Sequence, residues 1–274
     1  MIPNSGPAIG GNLRSNSRIA TPLPALVVLL LMAGVTLAQD DAGDVHRGKA
    51  VYEPYCALCH GEDGDGKGHY GEDTIPVPRD FRLGTFKWRS TPSGSLPTDA
   101  DLEKVLVNGL FGTSMPSFST SLTHRQRLDV IAYVKTFSPR FATEKPEAPI
   151  PIPSEPPYTA ESVARGAAVY KKFNCAQCHG DGGHGDGPSA DELKDDWGNG
   201  IVPYDFTKGH VKCGSNGSDI YRVFIAGLNG TPMPSFADSM SPAEAWDLVH
   251  FIQSLSPDYP KNMTGTAPAP ESGG

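Results

Sequence analysis

Two short segments carry the residues best suited to chemistry. Cys56-Ala57-Leu58-Cys59-His60 and Cys175-Ala176-Gln177-Cys178-His179 each set two thiols three positions apart, with an imidazole directly after the second. Thiols so spaced at the end of a helix can add to the two vinyl groups of one haem, and the next residue then brings its ring under the iron. The same residue types suit other chemistry: four cysteines in two pairs could build one zinc site, or each pair could close as a thioredoxin-like disulfide. Three features weigh against both alternatives. A His follows each pair immediately, the N-terminus reads as an export signal, and a Met lies at nearly the same distance downstream of each motif.

Those methionines, Met115 and Met233, sit in Gly112-Thr113-Ser114-Met115-Pro116-Ser117-Phe118 and Gly230-Thr231-Pro232-Met233-Pro234-Ser235-Phe236. Gly and Pro impose an irregular loop that can aim a thioether at the iron face opposite His60 or His179. Filling a core gap is the commoner role for Met. Of the six methionines these two alone share repeat position and flanks, which favours ligation. Thioether ligation saturates the iron and raises its potential, so electron exchange is expected rather than substrate binding.

The elements that must position these groups occur twice. Arg47-Gly48-Lys49-Ala50-Val51-Tyr52 returns as Arg165-Gly166-Ala167-Ala168-Val169-Tyr170, and Val77-Pro78-Arg79-Asp80-Phe81 as Val202-Pro203-Tyr204-Asp205-Phe206, so the chain holds two copies of one domain diverged in their loops. Each copy is expected to contain three short helices: about 44–55, 99–109 and one through Leu122 to Phe137 in the first, and 160–173, 218–227 and one through Trp246 to Ile252 in the second, with Thr159 as an N-cap. No alternating strand pattern stands out, which makes the fold class all-α and loop-rich. Between the copies, residues 139–160 carry seven prolines, the mark of a stiff extended linker.

Composition agrees with a domain built around something other than side chains. With 31 Gly, 26 Pro and only 38% apolar residues, core-forming side chains are scarce, and a buried porphyrin would make up the deficit. The net charge of −8 argues against a nucleic-acid partner. Arg14 and Arg18 followed by the uncharged run from Ala25 to Ala38 read as a leader with a cleavage site at Thr36-Leu37-Ala38. The competing reading is an uncleaved N-terminal membrane anchor, since the uncharged stretch from Ile19 to Gln39 could just cross a bilayer. Either way the protein is expected in the periplasm.

Each repeat resembles a class I cytochrome c domain, and the pair resembles the tandem dihaem cytochromes c of bacterial electron-transfer chains. The resemblance divides the chain into a leader or anchor (1–38), domain 1 (44–141), a Pro-rich linker (142–157), domain 2 (158–258) and a disordered tail (259–274). It implies two covalent haem c groups, with Cys56, Cys59, His60 and Met115 serving one, and Cys175, Cys178, His179 and Met233 the other. It also implies a Pro soon after the motif whose carbonyl accepts the imidazole N–H. Pro188 fits in repeat two, and His69 stands there in repeat one, where Pro76 or Pro78 could substitute. The implied function is electron transfer between a redox donor and acceptor, including a membrane respiratory complex, without catalysis. Two alternatives are a dihaem cytochrome c peroxidase, which needs an open sixth position, and a fixed subunit of a membrane oxidoreductase.

Several features lie outside this scheme. Asp63-Gly64-Asp65-Gly66 and Asp181-Gly182-Gly183-His184-Gly185-Asp186 faintly resemble calcium loops but lack the twelve-residue spacing, so loops folded over a haem edge are preferred. His250 falls on an apolar helix face and reads as a core or interface residue; His69, His184 and His210 fall in loops. Phe86-Lys87-Trp88-Arg89 could be a basic docking patch or an ordinary loop. Cys213 is the odd thiol of five, best read as a partly buried free cysteine, with an intersubunit disulfide or a regulatory thiol behind it.

Overall fold

A computed structural model describes residues 10–11, 42–71, 73–212 and 214–263. The leader (1–38) apart from residues 10–11, Cys213 and the tail beyond Met263 lie outside the described residues, and no helix among those described is long and apolar enough to cross a membrane. The described residues from 42 to 263 belong to one compact unit.

The repeats fold alike. In repeat one, α1 (Val45–Tyr55) leads into the single turn α2 (Ala57–His60), and α3 (Asp99–Asn108) and α4 (His124–Lys135) follow after a long loop. A short α5 (Arg140–Thr143) opens the connection to repeat two, where α6 (Ala160–Lys172), α7 (Ala176–His179), α8 (Gly217–Ala226) and α9 (Pro242–Ser254) repeat the order. The helices start where hydroxyl and carboxamide side chains can satisfy orphan backbone donors: Thr98, Thr123, Thr159 and Ser241 form capping boxes, and Asn216 caps α8. The described residues contain no strand, only an isolated bridge between Lys194 and Gly200.

The first and last long helices of each repeat cross tightly, and the sequence permits it at one glycine per crossing. A Cβ on Gly48 would overlap the Asp129 carbonyl, and one on Gly166 the Asp247 carbonyl, so α1 can meet α4, and α6 can meet α9, only at glycine. The preceding arginine clamps the same crossing. Arg47 Nε donates to Asp129 Oδ2 at 2.7 Å and Nη2 to Oδ1 at 2.9 Å, while Arg165 makes the same two bonds to Asp247 at 2.7 Å each. At the ends of these helices the hydroxyls of Tyr52 and Tyr170 donate to the Gly61 and Gly180 carbonyls, at 2.8 and 2.7 Å, fastening α1 and α6 to the turns that follow the cysteine motifs. The shared Arg-Gly-x-x-x-Tyr sequence is thus a crossing device.

Side-chain cores are unequal. Repeat two packs Ile220, Phe224, Trp246, Leu248, Val249, Ile252 and Tyr259, whereas repeat one buries chiefly Val51, Tyr52, Phe118, Leu122 and Val130. His250 is fully buried in the larger core, its Nδ1 2.7 Å from the Ser162 hydroxyl.

Two expectations change. The Pro-rich linker is extended, but it does not stand clear of the domains: the Ile150 N–H donates to the Ser90 carbonyl at 2.8 Å, Ile150 and Ile152 pack against the core of repeat two, and Glu155 is buried. The segment 259–263 is not part of a loose tail. Tyr259 is buried, Gln253 donates to the Pro260 carbonyl and the Tyr158 N–H to that of Asn262, because an aromatic ring just past α9 has an apolar surface to join.

The repeats are joined directly. Arg89, which reads as part of a surface patch by sequence, is buried and donates to the last carbonyls of α8, to Ala226 at 2.5 Å and Gly227 at 3.3 Å. A cation satisfying carbonyls at a helix C-terminus is favourable twice over. Lys104 of α3 pairs with the buried carboxylate of Asp219 on α8 at 2.5 Å, and the Phe111 N–H donates to the Lys212 carbonyl at 3.1 Å. The Phe86–Arg89 segment is therefore an internal clamp.

Candidate functional site

A continuous cavity of about 880 Å³ runs through both repeats. Cys56, Cys59, His60 and Met115 line one part and Cys175, Cys178, His179 and Met233 the other, so all eight residues singled out by sequence face one space.

Local structure explains how each group reaches it. Within each motif the His N–H returns to the first Cys carbonyl, at 2.9 Å for both His60 and His179, closing the single turn that puts both thiols and the imidazole on one side. The glycine-rich segment that follows then folds back onto this turn. The N–H groups of Gly66, Gly68 and Tyr70 donate to the carbonyls of His60, Cys59 and Leu58, and those of Gly185, Gly187 and Ser189 do the same for His179, Cys178 and Gln177. These runs satisfy the orphan carbonyls of a helix one turn long. Among the described residues no three His, Cys, Asp or Glu side chains gather as a cation site, which leaves neither calcium nor a joint zinc centre a set of ligands there.

The imidazoles are oriented from behind. His60 Nδ1 lies 3.2 Å from the Arg79 carbonyl and His179 Nδ1 3.2 Å from that of Tyr204, and Phe81 and Phe206 stack on the two rings at 4.5 Å between centroids. A carbonyl can only accept, so Nδ1 carries the proton and the Nε2 lone pair is left for a metal. Burial pushes the His60 imidazole down to about 4 and lowers that of His179, so both are neutral near pH 7. The acceptor is not the carbonyl of Pro188, Pro76 or Pro78. The glycine-rich loop turns its N–H groups toward the motif helix, and Val-Pro-x-Asp-Phe supplies both the carbonyl, from its third residue, and the stacking ring.

The methionine loops are equally alike. The Met115 N–H donates to the Thr113 hydroxyl at 3.1 Å, that hydroxyl donates to the Leu110 carbonyl at 2.7 Å, and the Leu110 N–H returns to the Met115 carbonyl at 3.0 Å. Thr231, Leu228 and Met233 repeat the circuit at 3.2, 2.7 and 3.1 Å. Ser117 and Ser235 bond back to carbonyls of α3 and α8. The thioether position is thus fixed by backbone bonds on both sides.

Burial pushes the Cys56 thiol up to about 12 and that of Cys175 to about 11, which disfavours the free thiolate a zinc ligand or redox dithiol needs. The cavity wall is mostly apolar, and the cations on it, Arg79, Lys87, Lys208 and Lys212, are drawn from both copies, with Asp205 beside them in the sequence of repeat two. Arg79 crosses to lie 4.2 Å above the Trp197 ring of repeat two, and burial, with Arg79 and Lys212 nearby, lowers Lys87 to about 8. The Tyr204 hydroxyl, also on the wall, is buried with no partner. An apolar slot with thiols and imidazoles at its sides, and with cations and an orphan hydroxyl able to receive carboxylates, fits haem.

Comparison with known proteins agrees. Residues 163–256 match the family model described as cytochrome c, and residues 43–134 match that of the cbb3-type cytochrome c oxidase subunit III. A chain of the reducing HAO-like protein complex of Kuenenia stuttgartiensis is 43% identical, with a TM-score of 0.76, the match covering 78% of this chain and 97% of that one. No curated protein matches. The chain belongs to the cytochrome c family as a tandem of two cytochrome c domains, carries two covalent haem c groups and works by haem-based electron transfer.

Proposed function

We propose that the protein is a periplasmic dihaem electron carrier, in which Cys56 and Cys59 hold one haem and Cys175 and Cys178 the other, with His60 and Met115, and His179 and Met233, as axial ligands. The observation that carries this reading is the single cavity joining both ligand sets. Haem supplies one-electron exchange through iron valence change. The protein holds the rings in place through the Arg79 and Tyr204 carbonyls, fixes the thioethers through Thr113 and Thr231, excludes water with an apolar wall, and offers Arg79, Lys87 and Lys212 to carboxylates. If His60 and Met115 hold one iron and His179 and Met233 the other, neither iron would keep an open position for peroxide.

Two comparisons favour a carrier that works with, or within, a larger redox assembly: one repeat matches a family of oxidase subunits, and the K. stuttgartiensis relative comes from a protein complex. Donor and acceptor are accordingly sought among redox proteins at or outside the cytoplasmic membrane.

A potentiometric titration of the purified protein, followed by peroxide addition, tests the reading. Two one-electron steps with no peroxide turnover are expected; steady peroxide consumption by a haem with an open sixth position would contradict it.

A further inference from the structure

Both repeats place exposed residues on the rim of the cavity, and the two rims differ. In repeat one, Tyr55 and Ile75 line the cavity and are also exposed, at 47% and 79%, and Leu58 and Tyr70 beside them are exposed at 51% and 56%. The Tyr70 N–H to Leu58 carbonyl bond, 2.9 Å, holds the last two together. In repeat two Gln177 and Ser189 stand in the places of Leu58 and Tyr70, with Gln177 Nε2 donating to the Ser189 hydroxyl at 2.7 Å, and the counterpart of Tyr55 is the half-buried Phe173, which packs on Phe236 as Tyr55 packs on Phe118. The same backbone scaffold therefore carries a cluster of exposed apolar side chains at the mouth of repeat one, where repeat two has a bonded polar pair and the exposed Val202.

Charge differs in the same sense. Around the mouth of repeat one, Glu62, Asp63 and Asp73 are exposed, with Lys67 the cation of that loop. In repeat two Asp181 stands in the place of Glu62 and Asp186, Asp191 and Glu192 are also exposed, but Gly182 replaces Asp63, the exposed Lys171 replaces Glu53, and Lys172 and Lys194 are exposed too, so acids and cations are mixed there. Large apolar side chains exposed together within a charged rim mark an interaction surface, and a rim of one sign selects a partner of the other.

Building on the carrier reading above, we propose that the mouth of repeat one, formed by Tyr55, Leu58, Tyr70 and Ile75, is the docking face for a redox protein that surrounds its own cofactor edge with an apolar patch and a Lys/Arg rim. Electrons are exchanged with that partner through the first haem and pass inward to the second. The small apolar contact and screened charges make the encounter brief, as repeated turnover requires.

The test uses the full dihaem protein, with a lysine-rich mitochondrial-type cytochrome c as probe, in stopped-flow electron exchange at low salt. Leu58→Gln/Tyr70→Ser gives repeat one the polar pair of repeat two. Glu62→Lys and Asp181→Lys make the same charge change at equivalent exposed positions of the two copies. The bimolecular rate is expected to fall about tenfold in Leu58→Gln/Tyr70→Ser and in Glu62→Lys, and to hold within twofold in Asp181→Lys. Unchanged rates in both repeat-one variants, or an equal fall in Asp181→Lys, would overturn the proposal. Haem content and the rate of reduction by dithionite are measured alongside. A wild-type protein that accepts electrons from dithionite but exchanges none with the probe overturns the docking face and leaves the carrier reading standing; failure with dithionite as well removes the carrier reading itself.

Discussion

Asp129 concentrates much of what single residues do here. Its side chain is 2% exposed, accepts two bonds from Arg47 and one from the Asp44 N–H, and sits at the closest approach of α1 and α4. The Arg47 hydrogen bonds hold its carboxyl below the ordinary aspartate value of 3.8. A carboxylate whose value is lower folded than unfolded contributes stability that is complete above 3.8 and is lost as pH falls through the lower, folded value. Because Arg47 is largely exposed, its loss of a partner leaves no buried charge, and Asp129→Asn is expected to cost about 1–3 kcal/mol at neutral pH. The variant should also lose part of the acid-induced fall in stability, which denaturant titrations at pH 7 and near pH 3 would measure. The cysteines and histidines were legible in sequence because covalent attachment needs a fixed local spacing. The carbonyls of Arg79 and Tyr204 were not, since a backbone acceptor leaves no trace in residue type, and the resemblance pointed to Pro188 instead.

At the scale of elements, repetition made the methionine loops and the helix pairs readable. Six helices were expected and found within a residue or two, apart from the start of α9, because caps, glycines and apolar spacing agree there. The glycine at each crossing was visible only as part of a repeat, and its reason is a contact more than eighty residues distant. Gly166→Ala forces a methyl into the Asp247 carbonyl, so α6 and α9 must separate; the expected cost is about 1–3 kcal/mol, read as a lower denaturation midpoint. Gly182, where a Cβ would meet only the side chain of exposed His184, serves as the control and should change little when replaced by Ala.

For the whole molecule, the joint between repeats sets the behaviour. Two beads on a Pro-rich string would unfold separately; here Arg89, Lys104 and Arg79 tie repeat one to α8 and Trp197 of repeat two, and the linker packs along both. Arg89→Ala strands the Ala226 and Gly227 carbonyls, so a loss of about 1–3 kcal/mol is expected, along with separation of one calorimetric transition into two. A single transition in the variant would show that the remaining contacts suffice. No reading of residues 86–89 alone could have found this role, since the partners of Arg89 lie 137 and 138 positions away. The scarcity of core side chains has its counterpart in the cavity, most of all in repeat one, where the side-chain core is smallest.

The central claim is that each copy presents one His and one Met to its own haem iron within a shared cavity. Near-infrared magnetic circular dichroism of the fully oxidised protein tests it most directly, because it distinguishes His/Met from bis-His and from high-spin iron. The account predicts two low-spin haems, both of His/Met type; a high-spin or bis-His signal from either haem would contradict it.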